Sequence, residues 1–154
     1  MLNDASVSER NELEQAAIRL LANREHSRSE LSRKLSARCV ESDLLEQVLD
    51  WLESCGYQSD ERFTELYIKQ RKQKGFGPVR IRLELQERGI SAALIEHWLD
   101  AEDTEWLELL GVCCKQKFGC SPPDDFKAQT KRARFLEYRG FPTEMIRSYI
   151  WRDT

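Results

Sequence analysis

The residues of this 154-residue chain best able to do chemistry are its cations, and they come in blocks. Residues 62–90 carry Arg62, Lys69, Arg71, Lys72, Lys74, Arg80, Arg82 and Arg88 against three glutamates, a net of +5. Acidic stretches flank them. Residues 41–61 hold seven carboxylates and no Lys or Arg (−7), and residues 91–126 hold eight against Lys115 and Lys117 (−6). Residues 24–40 are +3 and 127–154 are +4, although the whole chain is only −3. An acidic total argues against a general nucleic-acid coat, whereas alternating blocks suit a partner of complementary pattern and set register on it. The candidate partner-binding residues are Arg24, Arg28 and Lys34 from the first basic stretch, and Lys69, Lys72, Lys74, Arg80 and Arg82 from the second. What they offer is charge-assisted contact with acidic patches or phosphates.

Covalent and acid–base chemistry find no footing. Gly75-Phe76-Gly77-Pro78 is too short for a phosphate loop and lacks the lysine–serine pair. Carboxylates such as Glu41, Asp43, Glu46 and Asp50 fall on a solvated helix face, with no apolar pocket to raise a pKa. Serine–histidine–aspartate chemistry would have to use His26 or His97, and a lone helical histidine such as His97, beside Trp98, is more often surface or core than catalytic. The five cysteines form no Cys-x-x-Cys pair, and Cys113-Cys114-x5-Cys120 has no histidine close in sequence. Buried or half-buried reduced thiols are expected there, and neither a metal nor another cofactor is implied. No run approaches the ~18 apolar residues of a membrane span, and Met1-Leu2-Asn3-Asp4 does not open a secretory signal, so the expected compartment is the cytosol. The expectation is a protein that is not an enzyme and takes no small-molecule substrate.

Helices must position these cations, because helical punctuation is everywhere and strand punctuation is absent. Ser27-x-x-Glu30 reads as a capping box, and Ser42, Ser59 and Ser91 sit at N-cap positions. Pro78 and Pro142 suit first turns, and Gly56, Gly75, Gly89 and Gly140 fall just past helix ends. Nine helices follow, near 9–24, 28–38, 43–55, 60–74, 78–88, 92–100, 103–118, 124–139 and 143–152. On the fourth, Phe63, Leu66 and Tyr67 form the expected inward stripe, with Arg62, Lys69 and Lys72 opposite. Most aromatic rings are expected on such inward stripes. Val79 and Leu83 make the fifth helix apolar on a second side, so Leu83 is expected under a neighbouring module or a partner.

The helices also repeat. Shifting the chain by fifty residues lays Leu31 on Ile81, Leu35 on Leu85, Arg38 on Arg88, Val40 on Ile90 and Leu49 on Leu99. A shift of fifty-one lays Arg88-Gly89-Ile90 on Arg139-Gly140-Phe141. A period in this range signals a stacked array, which works through long surfaces rather than a cleft. The expected fold is all-α, an elongated array of three tandem three-helix repeats at 12–56, 57–101 and 102–154, behind an N-terminal arm of residues 1–11.

These residues resemble the RecX regulators of the RecA recombinase. The matching runs are Leu21-Ala22-Asn23-Arg24-Glu25-His26-Ser27-Arg28-Ser29-Glu30-Leu31, Gly56-Tyr57-Gln58-Ser59-Asp60-Glu61-Arg62-Phe63, Lys74-Gly75-Phe76-Gly77-Pro78 and Tyr138-Arg139-Gly140-Phe141. The resemblance covers residues 12 to 151. Thr64 departs from a usual alanine, and Cys39 from a frequent glycine. The resemblance implies a cytosolic, non-catalytic protein that binds the RecA–DNA filament in its groove and damps recombinase, ATPase and co-protease activity. Regulation of DNA repair and of the SOS response belongs to the same implication. The rival reading is a free-standing single-stranded DNA-binding module, which a lack of exposed rings for base stacking would weaken.

Overall fold

The computed structural model describes residues 4–38, 41–100 and 103–151. Among them are nine α-helices and no strand: α1 Asp4–Asn23, α2 Arg28–Ser36, α3 Ser42–Ser54, α4 Asp60–Gln73, α5 Pro78–Glu87, α6 Ala92–Trp98, α7 Glu105–Phe118, α8 Phe126–Arg139 and α9 Thr143–Trp151. The ends agree with expectation to within about two residues except at the start of α1, which begins at Asp4. None of residues 5–12 is buried, and the core face begins only at Leu13. Apolar periodicity reports burial, so a helix that extends into solvent escapes it.

Capping explains most boundaries. Ser27 Oγ accepts from Glu30 N while Glu30 Oε1 accepts from Ser27 N, both at 3.1 Å, completing the capping box of α2. Ser59 and Ser91 cap α4 and α6 by accepting from Arg62 N and Leu94 N. Ser42 does not cap; it is the first residue of α3, and the N-cap position is held by Glu41, whose side chain makes no capping bond. Gly56, Gly75, Gly89 and Gly140 all take the left-handed conformation at their helix ends.

The chain divides into two compact units, Met1–Glu65 with Gln86–Leu94, and Leu66–Leu85 with Ile95–Thr154. In the first, α1, α2 and α3 pack around Leu13, Ala17, Leu31, Leu35, Val48, Leu49 and Leu52. In the second, α7, α8 and α9 pack together, and Trp106, Leu110, Leu136 and Ile146 are buried. Trp106 Nε1 donates to Asp100 O at 2.7 Å, which satisfies the indole within that core.

Each unit contains one copy of the same junction. In the first, Ser27 Oγ at the head of α2 donates to Arg88 O, immediately before the turn at Gly89. In the second, Gly77 N and Val79 N at the head of α5 donate to Arg139 O and Gly140 O at 2.8 and 2.9 Å. Ser27 corresponds to Gly77, and Arg88 to Arg139, in the repeat register. The approach is close enough to demand glycine. A Cβ on Gly89 would lie 2.5 Å from Ser29 Cβ, and one on Gly77 would lie 2.5 Å from Gly140 O. The first repeat's counterpart of these corners, Cys39-Val40, lies outside the described residues.

One expected apolar face turns out otherwise, and a second is left to a partner. On α4 the buried residues are Phe63, Thr64 and Ile68, while Leu66 is exposed. At 100° per residue this arc runs from Phe63 through Ile68 and leaves Leu66 outside it. Thr64 can be buried because its hydroxyl donates to Asp60 O at 2.7 Å. On α5, Pro78, Ile81 and Leu85 are buried, and Val79 and Leu83 are exposed at 47% and 55%. No part of the described chain covers Leu83.

Candidate partner-binding surface

The structure sorts the eight candidate cations by what already holds them. Arg28 is the most occupied. Its guanidinium meets Glu46 at 2.8 Å, Asp50 at 2.7 Å and Glu53 at 2.9 Å, three carboxylates spaced i, i+4 and i+7 along α3. Its backbone amide also donates to Asp60 Oδ1 at 2.8 Å. Arg24 pairs with Glu30 at 3.0 Å, and Lys72 reaches Glu105 at 3.4 Å while lying 4.5 Å over the Trp106 ring. Lys34 Nζ stands 3.0 Å from His26 Nε2. Lys69, Lys74, Arg80 and Arg82 form no ion pair among the described residues. Half of the set therefore retains charge that no described carboxylate neutralises.

One of these four belongs to a cluster that spacing did not suggest. Phe76 lies under three guanidiniums: Arg71 at 3.8 Å, Arg80 at 4.5 Å and Arg139 at 4.9 Å from the ring centroid. Arg71 is spoken for by a two-pronged contact with Glu84 at 3.0 and 2.8 Å. Arg80 and Arg139 bond only to backbone carbonyls, Tyr138 O at 3.3 Å and Lys74 O at 3.0 Å. Arg80 also lies 5.2 Å over the Tyr138 ring. The Gly-Phe-Gly-Pro run thus works structurally: Gly75 closes α4, Gly77 admits the α8 corner, Pro78 opens α5, and Phe76 gathers arginines from three elements. A phenylalanine between two glycines was the signal available in the sequence.

The rings are less hidden than expected. Tyr57, Phe126 and Tyr138 are 47%, 73% and 72% exposed. Thiols differ too, since Cys113 and Cys114 are buried but Cys55 and Cys120 are exposed. Burial pushes the Cys113 and Cys114 thiols above their ordinary range, away from thiolate chemistry. Among the described residues no three His, Cys, Asp or Glu side chains gather as a metal site would need. No helix there is long and apolar enough to cross a membrane.

His26 should make the stability of the fold depend on pH. The imidazole is 1% exposed, and because Lys34 can only donate to Nε2, Nδ1 must carry the proton given to Arg24 O at 3.0 Å. Burial first, and then the charges of Arg24 and Lys34, hold its pKa below 6.5, against the opposing pull of the Arg24 carbonyl and Glu30. A histidine depressed in the fold stabilises it fully above about pH 6.5, and that contribution is lost as pH falls towards the folded-state value. The denaturation midpoint should therefore be flat from about pH 8 to 7 and decline below about pH 6.5. The decline should be shallower in His26→Gln, and equal slopes in the two proteins would refute the assignment.

Comparison with known proteins follows the same three-part division. Models of the first, second and third three-helix domains of RecX match residues 15–52, 59–99 and 103–150. The Regulatory protein RecX of Pseudomonas putida (strain GB-1) is 41% identical over 134 residues, 87% of this chain and 86% of that protein. That of Halorhodospira halophila (strain DSM 244 / SL1) is 36% identical over 133 residues, 86% of this chain and 83% of the relative. The crystal structure of RecX from Lactobacillus salivarius superimposes with a TM-score of 0.80 at 20% identity, covering 95% of this chain and 97% of that one. With three domain models in tandem and relatives at this identity over most of its length, the chain belongs to the RecX family.

Proposed function

We propose that this chain is a non-catalytic, cytoplasmic modulator of the RecA recombinase. On this reading it binds the RecA–DNA filament in its groove and damps recombinase, ATPase and co-protease activities. Family membership supports a regulatory role, and the cations without an ion pair among the described residues carry the choice of surface. Lys69, Lys74, Arg80 and Arg82 are the first contacts with acidic patches or phosphates. Arg24, Arg28, Lys34 and Lys72 join them only by exchanging the contacts they already hold. Several weak contacts along tandem domains add as effective concentration rather than as one tight site.

The test is a recombinase ATPase assay on single-stranded DNA with the chain titrated in. Losing three charge contacts of roughly 0.5–1 kcal/mol each should raise the concentration for half-inhibition about ten-fold or more in the Lys69→Glu/Lys74→Glu/Arg82→Glu variant. None of the three forms an ion pair among the described residues, so helicity should be unchanged. Full inhibition by the folded variant would remove this surface from the reading.

A second reading, direct binding of single-stranded DNA, is favoured by the exposed Tyr138 ring stacked on Arg80. It requires binding of a labelled oligonucleotide without recombinase, with a salt slope of about −0.7 per phosphate neutralised.

A further inference from the structure

The heads of α2 and α5 each receive a glycine corner, at Gly89 and Gly140 respectively. Ala128, near the head of α8, is the counterpart of Ser27 and Gly77 in the repeat register. Among the described residues no carbonyl from elsewhere in the chain accepts from this edge; Ala128 N is capped locally by Asp125 Oδ1 at 2.8 Å. In place of a corner there is an open groove of about 680 Å³ lined by Phe126, Ala128, Lys127, Lys131 and Arg134. The Phe126 ring is the most exposed large apolar side chain described.

The charge of this edge is as distinctive as its vacancy. Lys127, Lys131 and Arg134 are spaced i, i+4 and i+7, which puts them on one face within two turns. All three are exposed, and none forms an ion pair among the described residues. The arginines at 24, 28, 62 and 71, by contrast, all hold carboxylates of their own unit. Like charges at this spacing repel one another, a cost that an acidic occupant would reverse.

We propose that the outer face of α8 from Phe126 to Arg134 is a docking surface for an acidic, helix-ending segment of a partner protein. The occupant takes the place that glycine corners fill on α2 and α5. It sets an apolar side chain on Phe126 and carboxylates against Lys127, Lys131 and Arg134. A second copy of this chain fits poorly. Its residues in the same register, Arg38-Cys39-Val40, have a cysteine where the two corners use glycine, and they lie in a +3 stretch. A run of phosphates fits less well than protein, because Asp125 also lines the groove. This inference does not depend on what the RecA-facing surface does.

Fluorescence anisotropy tests it with a labelled helical peptide of Glu, Ala and Leu that closes on Gly-Leu, added to the whole chain. Binding should weaken as salt rises, and should weaken about ten-fold or more in Lys127→Glu/Lys131→Glu/Arg134→Glu at unchanged helicity. Phe126→Ser should weaken it several-fold, and a peptide with serines for leucines should bind correspondingly less well. Equal binding by the triple variant, or by the serine peptide, would overturn the proposal. So would oligothymidylate binding that this variant abolishes while the peptide fails to bind, or self-association by sedimentation that the same variant abolishes. No recombinase is present, so failure here is separate from failure of the ATPase test.

Discussion

Gly77→Ala is expected to lower the melting temperature by roughly 6–12 °C, at about 2–4 °C per kcal/mol for a chain of this size. The added Cβ would sit 2.5 Å from Gly140 O, a backbone atom that cannot rotate away. Relief requires α5 to back off, and overpacking of this kind costs about 1–3 kcal/mol. Backing off also stretches the bonds from Gly77 N and Val79 N to the corner carbonyls, each worth about 1 kcal/mol. A total near 3 kcal/mol is a large share of the ~5–15 kcal/mol that holds most domains folded. Gly56→Ala is the control. Gly56 has a left-handed backbone, φ +79°, which Gly77 does not, and nothing within 4 Å of a Cβ, so only about 1 kcal/mol of conformational cost applies. Circular-dichroism melts of the two variants separate crowding from backbone strain, and equal losses would refute the close-approach argument.

Arg28→Ala should cost about 2 kcal/mol, measured by urea denaturation at low salt. Three partly exposed ion pairs contribute roughly 0.5 kcal/mol each. Their loss also leaves Glu46, Asp50 and Glu53 repelling one another at helical spacing, which adds a few tenths more. Arg28→Lys should recover only part of this, because an ammonium cannot present a guanidinium's fork to three carboxylates. Near 1 M salt the Debye length falls to about 3 Å and the deficit of the alanine variant should shrink. If Arg28→Ala were as stable as the parent yet failed to inhibit recombinase, the guanidinium would belong to the partner rather than to the fold.

The contrast between Arg28 and Lys69 shows what the sequence could convey. Helix existence and most boundaries are local properties, written in Ser27, Ser59, Pro78 and the corner glycines, and they agree with the structure. The repeat register likewise anticipated equivalent corners at Gly89 and Gly140. Which carboxylate neutralises which cation is a property of packing. Arg28 meets acids 18 to 25 residues away, and no charge count distinguishes it from Lys69, which meets none among the described residues. Ser42 and Leu66 failed for a related reason. A potential cap is used only if the chain enters the helix one residue later, and an apolar stripe is buried only where its helix is covered. The open rings Phe126 and Tyr138 escaped notice because helical spacing gives the phase of a face without saying what lies against it.

The junction at Gly89 has a consequence for how the protein is made. Ser27 Oγ finds its acceptor 61 residues downstream, so the head of α2 leaves the ribosome long before Arg88 exists. At about 5–20 residues per second the wait is roughly 3–12 s. During that interval α1, α2 and α3 can associate, but the first compact unit lacks its closing segment, Gln86–Leu94. A stall placed just before that segment emerges should leave the nascent chain sensitive to protease, and one placed well after it should not.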